Sequence, residues 1–499
     1  MKLIKRLEHQ VRHSFFLFGL LSIIWLLFRT GTKPTRISYP CQQASAASSS
    51  LWLTLYILPL ALAKPTHAIQ GIKSRRVILS VLLLSLVSLL FVSTNILNIM
   101  GNAQVAPAAP GAAVNLVFSN KQAQSSEATD IFVVNGTYGN DGEVKELIGL
   151  MQRHGLSFYA NDNSSGIIEK DDVVIIKVNS QWDERGGTNT DLVKALVQAV
   201  IDHPQGFTGE VVIADNGQAQ YGSTGSGGSL SYDRNNAKET SQSMQKVADS
   251  FSDYRVSTYL WDAITTKRVN EYVEGDLQDG YIVEGSSSPE TGLVVTYPKF
   301  KTKYGTNVSF KRGIWDSVNG TYDSKKLKVI NVPVLKSHGG YGVTASVKNY
   351  MGVVSDKLSR EMGGRAHNSV GLGGMGTEMA RTRFPALNII DAIWINANPG
   401  HGPSTSYSAA THTGVIAAST DPIALDYWSA MNILMPAAEA KGCKDLSSFD
   451  PGNSSPGSFG DWLRLSMYEI LKAGFRATLD EDNMNIYIAQ MDAEKSQNL

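Results

Sequence analysis

Residues Val77 to Met100 form one run of 24 residues without a charged side chain, and no other feature of the 499-residue chain constrains its folding as tightly. About 20 apolar residues span a bilayer core as a helix, because only a helix or a closed barrel satisfies the backbone there. The run is therefore read as a transmembrane anchor. Lys73, Arg75 and Arg76 stand just before it, and the next charge is Lys121. Basic residues stay on the cytoplasmic side, so the chain is expected to emerge near Asn102 with the remainder outside the cytoplasm. A basic flank, an apolar core and the small residues Ala103 to Ala113 also describe a secretory signal, and the domain would be secreted if that segment were cleaved. The length of the run favours an uncleaved anchor.

The charge distribution supports the same division. Residues 1–76 hold eleven basic side chains and one acid, Glu8, for a net +10, so the rest of this formally neutral chain carries −10. Such a head suits anionic membrane lipid as a partner, and the overall balance excludes a strongly basic nucleic-acid binder. The shorter apolar runs Phe15 to Phe28 and Leu51 to Ala63 fall below spanning length unless neighbouring Ser and Ala are counted. Residues 1–70 fit either a head with extra spans or an over-extended reading frame. Residues 101–127, which begin rich in Ala, Pro and Gly, are expected to be a flexible tether. Cys41 and Cys443 are the only cysteines. They exclude a disulfide framework, a cysteine-based zinc site and an iron–sulfur cluster held by this chain alone.

From residue 128 to 495 short β-branched runs alternate with helix-like stretches. The strands are expected at Ile131 to Val134, Val173 to Val178, Val211 to Ala214, Gly292 to Thr296, Val329 to Val332, Leu387 to Ile390 and Val415 to Ala417. Helices are expected at Glu143 to Arg153, Asp191 to Val200, Asn236 to Phe251, Pro422 to Met431 and Phe459 to Ala473. This pattern predicts an α/β domain built on a mostly parallel sheet covered by helices, preceded by one or more transmembrane segments. Tyr221 to Gly228 (YGSTGSGG) reads as a flexible surface loop, since no Gly-x-Gly-x-x-Gly opens a helix after the preceding strand.

The densest chemistry follows Val329: VINVPVLKSHGGYGVTASVKNYMGVV. A strand ending in Lys336-Ser-His338 presents a cation and an imidazole to the edge where open α/β sheets bind ligands. Thr344 and Lys348, four apart, are expected on one face of a short helix whose N-terminus would favour an anion. Lys177, Lys336 and Lys348 would then hold a small carboxylate or phosphate, with Asn179, Thr344 and Asn349 as further ligand contacts and His338 as acid or base. A metal-dependent alternative draws divalent-metal ligands from His338, His367, His401, Asp391 and Asp421. Simpler roles stand beside these: Asp421-Pro422 is a helix start, and Asp391 closes a turn after its strand. A third reading is a non-enzymatic recognition module that uses an insertion at 221–325, dense in Tyr232, Tyr254, Tyr259, Trp261, Tyr272, Tyr281 and Tyr297.

The run from Ile330 to Val354 resembles the signature of an uncharacterised family, domain of unknown function 362: an apolar strand, Lys-x-His, then Thr and Lys-Asn followed by Gly. Val174 to Asn179 with Asp191 to Ala199, Leu387 to Ile393 with Pro399 to Pro403, and Val415 to Asp426 are similar to its other blocks, in order, over about residues 170–435. The resemblance implies no settled activity. Many members carry a cysteine-rich ferredoxin-like segment, which this sequence lacks.

Overall fold

Alternate residues of the apolar strands point to opposite faces of a sheet, and in this chain both faces are buried. Ile131, Val133, Ile175, Val212, Val329 and Ile390 belong to one core, while Phe132, Val134, Ile176, Ile213, Ile330 and Ile389 belong to the other. That is why the runs are continuously apolar rather than alternating. The computed structural model describes residues 113–491 apart from 126, 162–163, 219–226 and 360–365, together with 21–25, 49 and 52. The chain forms two compact units, residues 1–104 and 105–499.

The ten-stranded sheet is built from β1 (Thr129–Asn135), β2 (Val173–Lys177), β3 (Glu210–Asp215) and β4 (Val256–Leu260), then from strands late in the chain. Between them a separate antiparallel sheet is made of β5 (Gly280–Ser287), β6 (Val294–Lys301), β7 (Asn307–Ser309), β8 (Gly313–Asp316) and β9 (Thr321–Asp323). The large sheet resumes with β10 (Leu327–Asn331), β11 (Val334–His338), β12 (Gly342–Thr344), β13 (Leu387–Asn396), β14 (Thr411–Ser419) and β15 (Met484–Gln490). Its order is β15-β1-β14-β13-β10-β2-β3-β4, with β11 also on β13 and β12 on β11.

The expectation of a mostly parallel sheet is corrected: the sheet is mixed. β14 runs antiparallel to both β1 and β13, and β12 runs antiparallel to β11. The cause lies in the connections. A parallel neighbour requires a crossover of a dozen or more residues, usually helical, and the link from β13 to β14 contains no helix. The parallel group β13-β10-β2-β3-β4 carries the functional edge. From β2 the chain moves outward through β3 to β4, and from β10 it moves the other way through β13 to β14. This reversal opens a crevice at the carboxyl ends of β2, β3 and β10, where open sheets bind ligands.

Helices Asp141–Arg153, Thr190–Ile201 and Met244–Asp249 supply one core, and Pro422–Ser429 and Phe459–Lys472 the other. The expected helix Asn236 to Phe251 shrinks to Met244–Asp249, because Asn235 and Asn236 are engaged in hydrogen bonds outside any helix. Asn140 and Glu143 form a capping box at Asp141–Arg153. Asn140→Ala is expected to cost about 1 kcal/mol, measurable as a lower denaturant midpoint.

Residues 113–121, expected as part of a tether, are docked: Ala113 bridges His412 and Lys121 bridges Ile486. The run Val77 to Met100 lies outside the described residues, as do nearly all of residues 1–70 and Tyr221 to Ser226 of the glycine-rich loop. Among the described residues no helix is long and apolar enough to cross a membrane. Within the insertion Trp261, Tyr272, Tyr281 and Tyr297 are buried, and of the seven aromatics named above only Tyr254 is an exposed one.

Candidate functional site

Lys177 is the last residue of β2 and Asp215 the last of β3, and these strands pair in parallel one residue out of step at their ends. Their side chains meet at 2.6 Å with 0% and 3% exposure. The Asp215 carboxylate also accepts from the Ser180 amide at 2.7 Å and the Ser180 hydroxyl at 3.0 Å. Burial pushes the Lys177 amine down and the Asp215 carboxyl up, and each opposes the shift of the other. Gly352 packs against this pair. A Cβ there would meet the Asp215 carboxylate and the Lys177 amine, so any other residue forces the ends of these two side chains to shift.

Across the crevice β11 and β12 pair antiparallel, with Lys336 opposite Thr344. Cross-strand partners share one face of a sheet, so ammonium and hydroxyl stand side by side. Thr344 is therefore a strand residue and Lys348 opens a 3-10 turn, Lys348–Gly352. The short-helix expectation is corrected, and with it the helix-terminus cradle: the register of β12, not helical periodicity, aligns these groups. Asp426 fixes the turn leading to Lys348 by accepting from the amides of Ser346 at 2.7 Å and Val347 at 2.9 Å. Burial pushes its carboxyl up to about 7.

Lys177, Asn179, Asp215, Asn216, Lys336, Thr344, Lys348 and Asn349 line one cleft, together with Gln181, Gln218, Gly352 and Pro403. The free space at its centre is about 10 Å³, room for one water. A carboxylate enters only if lining side chains move. Lys336 donates to the Gly186 carbonyl and, at 3.4 Å, to Asn179 Oδ1. Among the described residues Lys348 Nζ has no hydrogen-bond or carboxylate partner; it lies 5.7 Å from the centre of the Tyr341 ring. Thr344 Oγ1 is likewise buried without a hydrogen-bond partner among them. Burial, then the neighbouring Lys348, pushes the Lys336 amine far down, and burial alone brings Lys348 to about 7.

Asparagines form the floor. Asn349 accepts from Asn179 at 3.4 Å and donates to Asn331 at 2.9 Å, and Asn331 donates to Asn388 at 2.9 Å. This ladder runs from the loop after β2 through the Lys348–Gly352 turn to β10 and β13 and satisfies amides that would be costly to bury alone.

The structure thus brings together six of the residues expected to bind an anion: Lys177, Asn179, Lys336, Thr344, Lys348 and Asn349. His338 lies outside the cleft lining, in a cluster with Tyr341 and His367 at ring separations of 5.4 and 5.6 Å. Burial, then Lys348, holds its imidazole well below the usual range and hence neutral. Its Nδ1 accepts from the amides of Gly340 and Tyr341 at 3.1 and 3.2 Å, which leaves the proton on Nε2.

The metal set is not assembled. Among the described residues no group of three His, Cys, Asp or Glu side chains could hold a metal ion. His401 is exposed. Asp391 lies inside β13 rather than in a turn, accepting from the amides of Asn189 at 2.8 Å and Ile393 at 3.2 Å. Asp421 is the N-cap of Pro422–Ser429. Asp215, Asn216, Gly352, Gln181 and Gln218 are cleft residues that sequence reasoning passed over, the first two as a strand end and Gly352 as a family glycine. An acid closing an apolar strand next to one that closes in lysine was the available signal.

Residues 324–431 match the family described as domain of unknown function, DUF362. The DUF362 segment supplies Lys336, Thr344, Lys348 and Asn349, whereas Lys177, Asn179 and Asp215 come from chain that precedes it. A thylakoid-associated protein of Synechocystis sp. is 38% identical over 103 residues, which is 20% of this chain and 30% of that protein. The chain therefore matches less than a third of the length of this curated relative. No solved structure matches.

Proposed function

We propose that this is a membrane-anchored, extracytoplasmic protein that binds a small carboxylate or phosphate in the cleft between β2, β3 and β11 and acts on it through the paired lysines. The observation that carries the reading is the pair itself. Lys336 and Lys348 are buried, and among the described residues neither makes an ion pair. Buried charge without a counter-charge is costly, and an anion removes that cost. The hydroxyl of Thr344 is available to the same ligand. The uncharged run Val77 to Met100 and the thylakoid association stated for the Synechocystis relative support the membrane location. The buried aromatics of the insertion favour this reading over a recognition surface there.

Calorimetry of the full chain with pyruvate, phosphate and a neutral control tests it. Thr344→Val is expected to weaken anion binding about tenfold, the loss of a hydrogen bond to a charged group, while leaving the empty protein as stable or slightly more so. Lys336→Met is expected to abolish binding. Equal affinity of all three proteins, or no binding by the unsubstituted chain, overturns the reading.

A further inference from the structure

The three buried lysines of the cleft differ in what holds them. Lys177 is bound to Asp215 at 2.6 Å and donates to the Val178 carbonyl at 2.8 Å. Lys336 has the Gly186 carbonyl and Asn179 as acceptors. Lys348, 4% exposed, has neither among the described residues. In the empty cleft a proton sits more readily on Lys348, since burial and Lys348 push the Lys336 amine further down, but a monoanion seated on Lys336 draws that one charge to Lys336, whose acceptors are already in place. A second ammonium beside it, buried and without an acceptor, is disfavoured. Lys348 is then left as an uncharged amine facing the ligand, and a desolvated lysine next to another cation is a carbonyl nucleophile.

We propose that the ligand is a 2-oxo acid and that Lys348 forms an imine with it: the carboxylate rests on Lys336 and Thr344, and the keto carbon meets the Lys348 amine. This rests on the anion-binding reading above. The nitrogen lone pair forms the N–C bond while the carbonyl π pair passes to oxygen, and one amine proton moves to that oxygen, giving a carbinolamine. The Lys336 ammonium gives a proton to the hydroxyl, which leaves as water. The nitrogen closes the C=N bond, and its remaining proton returns to Lys336. Amine and ketone go in, imine and water come out, and no electrons are exchanged with any other group. When Lys336 gives its proton back to the imine nitrogen, the bonds to the neighbouring carbon are weakened, because the C=N–H cation accepts their electrons. The class of reaction this serves is proton removal or carbon–carbon cleavage next to the keto group.

The test is reductive trapping. The full chain is incubated with pyruvate, treated with sodium borohydride, digested and mapped by mass spectrometry. The expected result is one reduced pyruvyl group on the peptide carrying Lys348, absent when either reagent is omitted. Label spread over other lysines, or no label, overturns the imine. Calorimetry with pyruvate alone separates the two readings: binding without label removes the imine and leaves the anion site, whereas absence of binding removes both. Lys348→Arg is expected to lose the label, and the peptide assignment in the unsubstituted chain stands as the readout should that variant fail to fold.

Discussion

Asp215→Asn is expected to destabilise the protein by about 3–5 kcal/mol, the cost of leaving a buried lysine without its counter-charge. Lys177 has 0% side-chain exposure and, among the described residues, no other carboxylate within salt-bridge distance, so neither water nor a second acid takes over the role of Asp215. The substitution also weakens the acceptor of the Ser180 amide and hydroxyl, loosening the loop that follows β2. The double substitution Lys177→Met with Asp215→Asn is expected to recover most of the loss, since no buried ammonium is then left without its counter-charge. Denaturant unfolding of the three proteins measures this. A single-variant loss below about 1 kcal/mol, the value of an exposed pair, would show that the pair is hydrated. Gly352→Ala would disturb the same pair sterically, because the added methyl meets both charged heads.

Affinity for pyruvate is expected to fall as pH rises above about 7, where Lys348 of the free cleft loses its proton. The sign follows from linkage. Burial lowers the amine in the empty protein, the bound carboxylate raises the proton affinity of the Lys336–Lys348 pair, and binding above that pH takes up a proton. Affinity then declines by up to about tenfold per pH unit until the bound pair itself titrates. Pyruvate is the suitable probe, since its carboxyl is fully ionised throughout, unlike phosphate. The empty protein behaves oppositely. Its buried amine binds protons less tightly than the unfolded chain does, so the contribution of Lys348 to stability rises from about pH 7 to about pH 10. The groups facing the pair are Lys177, Asp215, Asp391, Tyr341 and His338, with His367 behind His338. Calorimetry in two buffers of different ionisation enthalpy, from about pH 6 to about pH 9, counts the protons taken up. Constant affinity with no proton uptake would remove the role assigned to the lysine pair.

Much of the cleft was legible in the chain because its residues close apolar strands. Lys177 follows Val173 to Ile176, and Lys336 follows Val334 and Leu335. A lysine at such a place either faces solvent or has a partner, and strand ends converge where a sheet changes direction. The same logic placed Asn179 and Asn349 near them. His338 followed Lys336 by two residues and so shared its face of the strand, yet the turn Gly339-Gly340 folds Tyr341 back beside it, and its Nδ1 is capped by that turn. Asp421 was readable as a helix cap from Pro422 alone. Asp391 was not readable as a strand residue, because a polar side chain inside an apolar run ordinarily marks its end. Its place in β13 depends on the Asn189 amide, which is 202 positions away in sequence.

Residue pattern alone located β1, β2, β3, β10, β13 and β14 of the large sheet but not β4, β12 or β15, together with the helices at Asp141–Arg153, Thr190–Ile201 and Phe459–Lys472 and the family resemblance later matched over residues 324–431. These are properties of local pattern: apolar runs, capping residues and a compact motif. The mixed sheet, the place of Thr344 on a strand opposite Lys336 and the pairing of Asp215 with Lys177 arise from long-range packing instead. Each of those depends on which strands become neighbours. That choice is made by burying both faces of the sheet at once, and a run of valines and isoleucines pairs equally well with any other until the whole core closes.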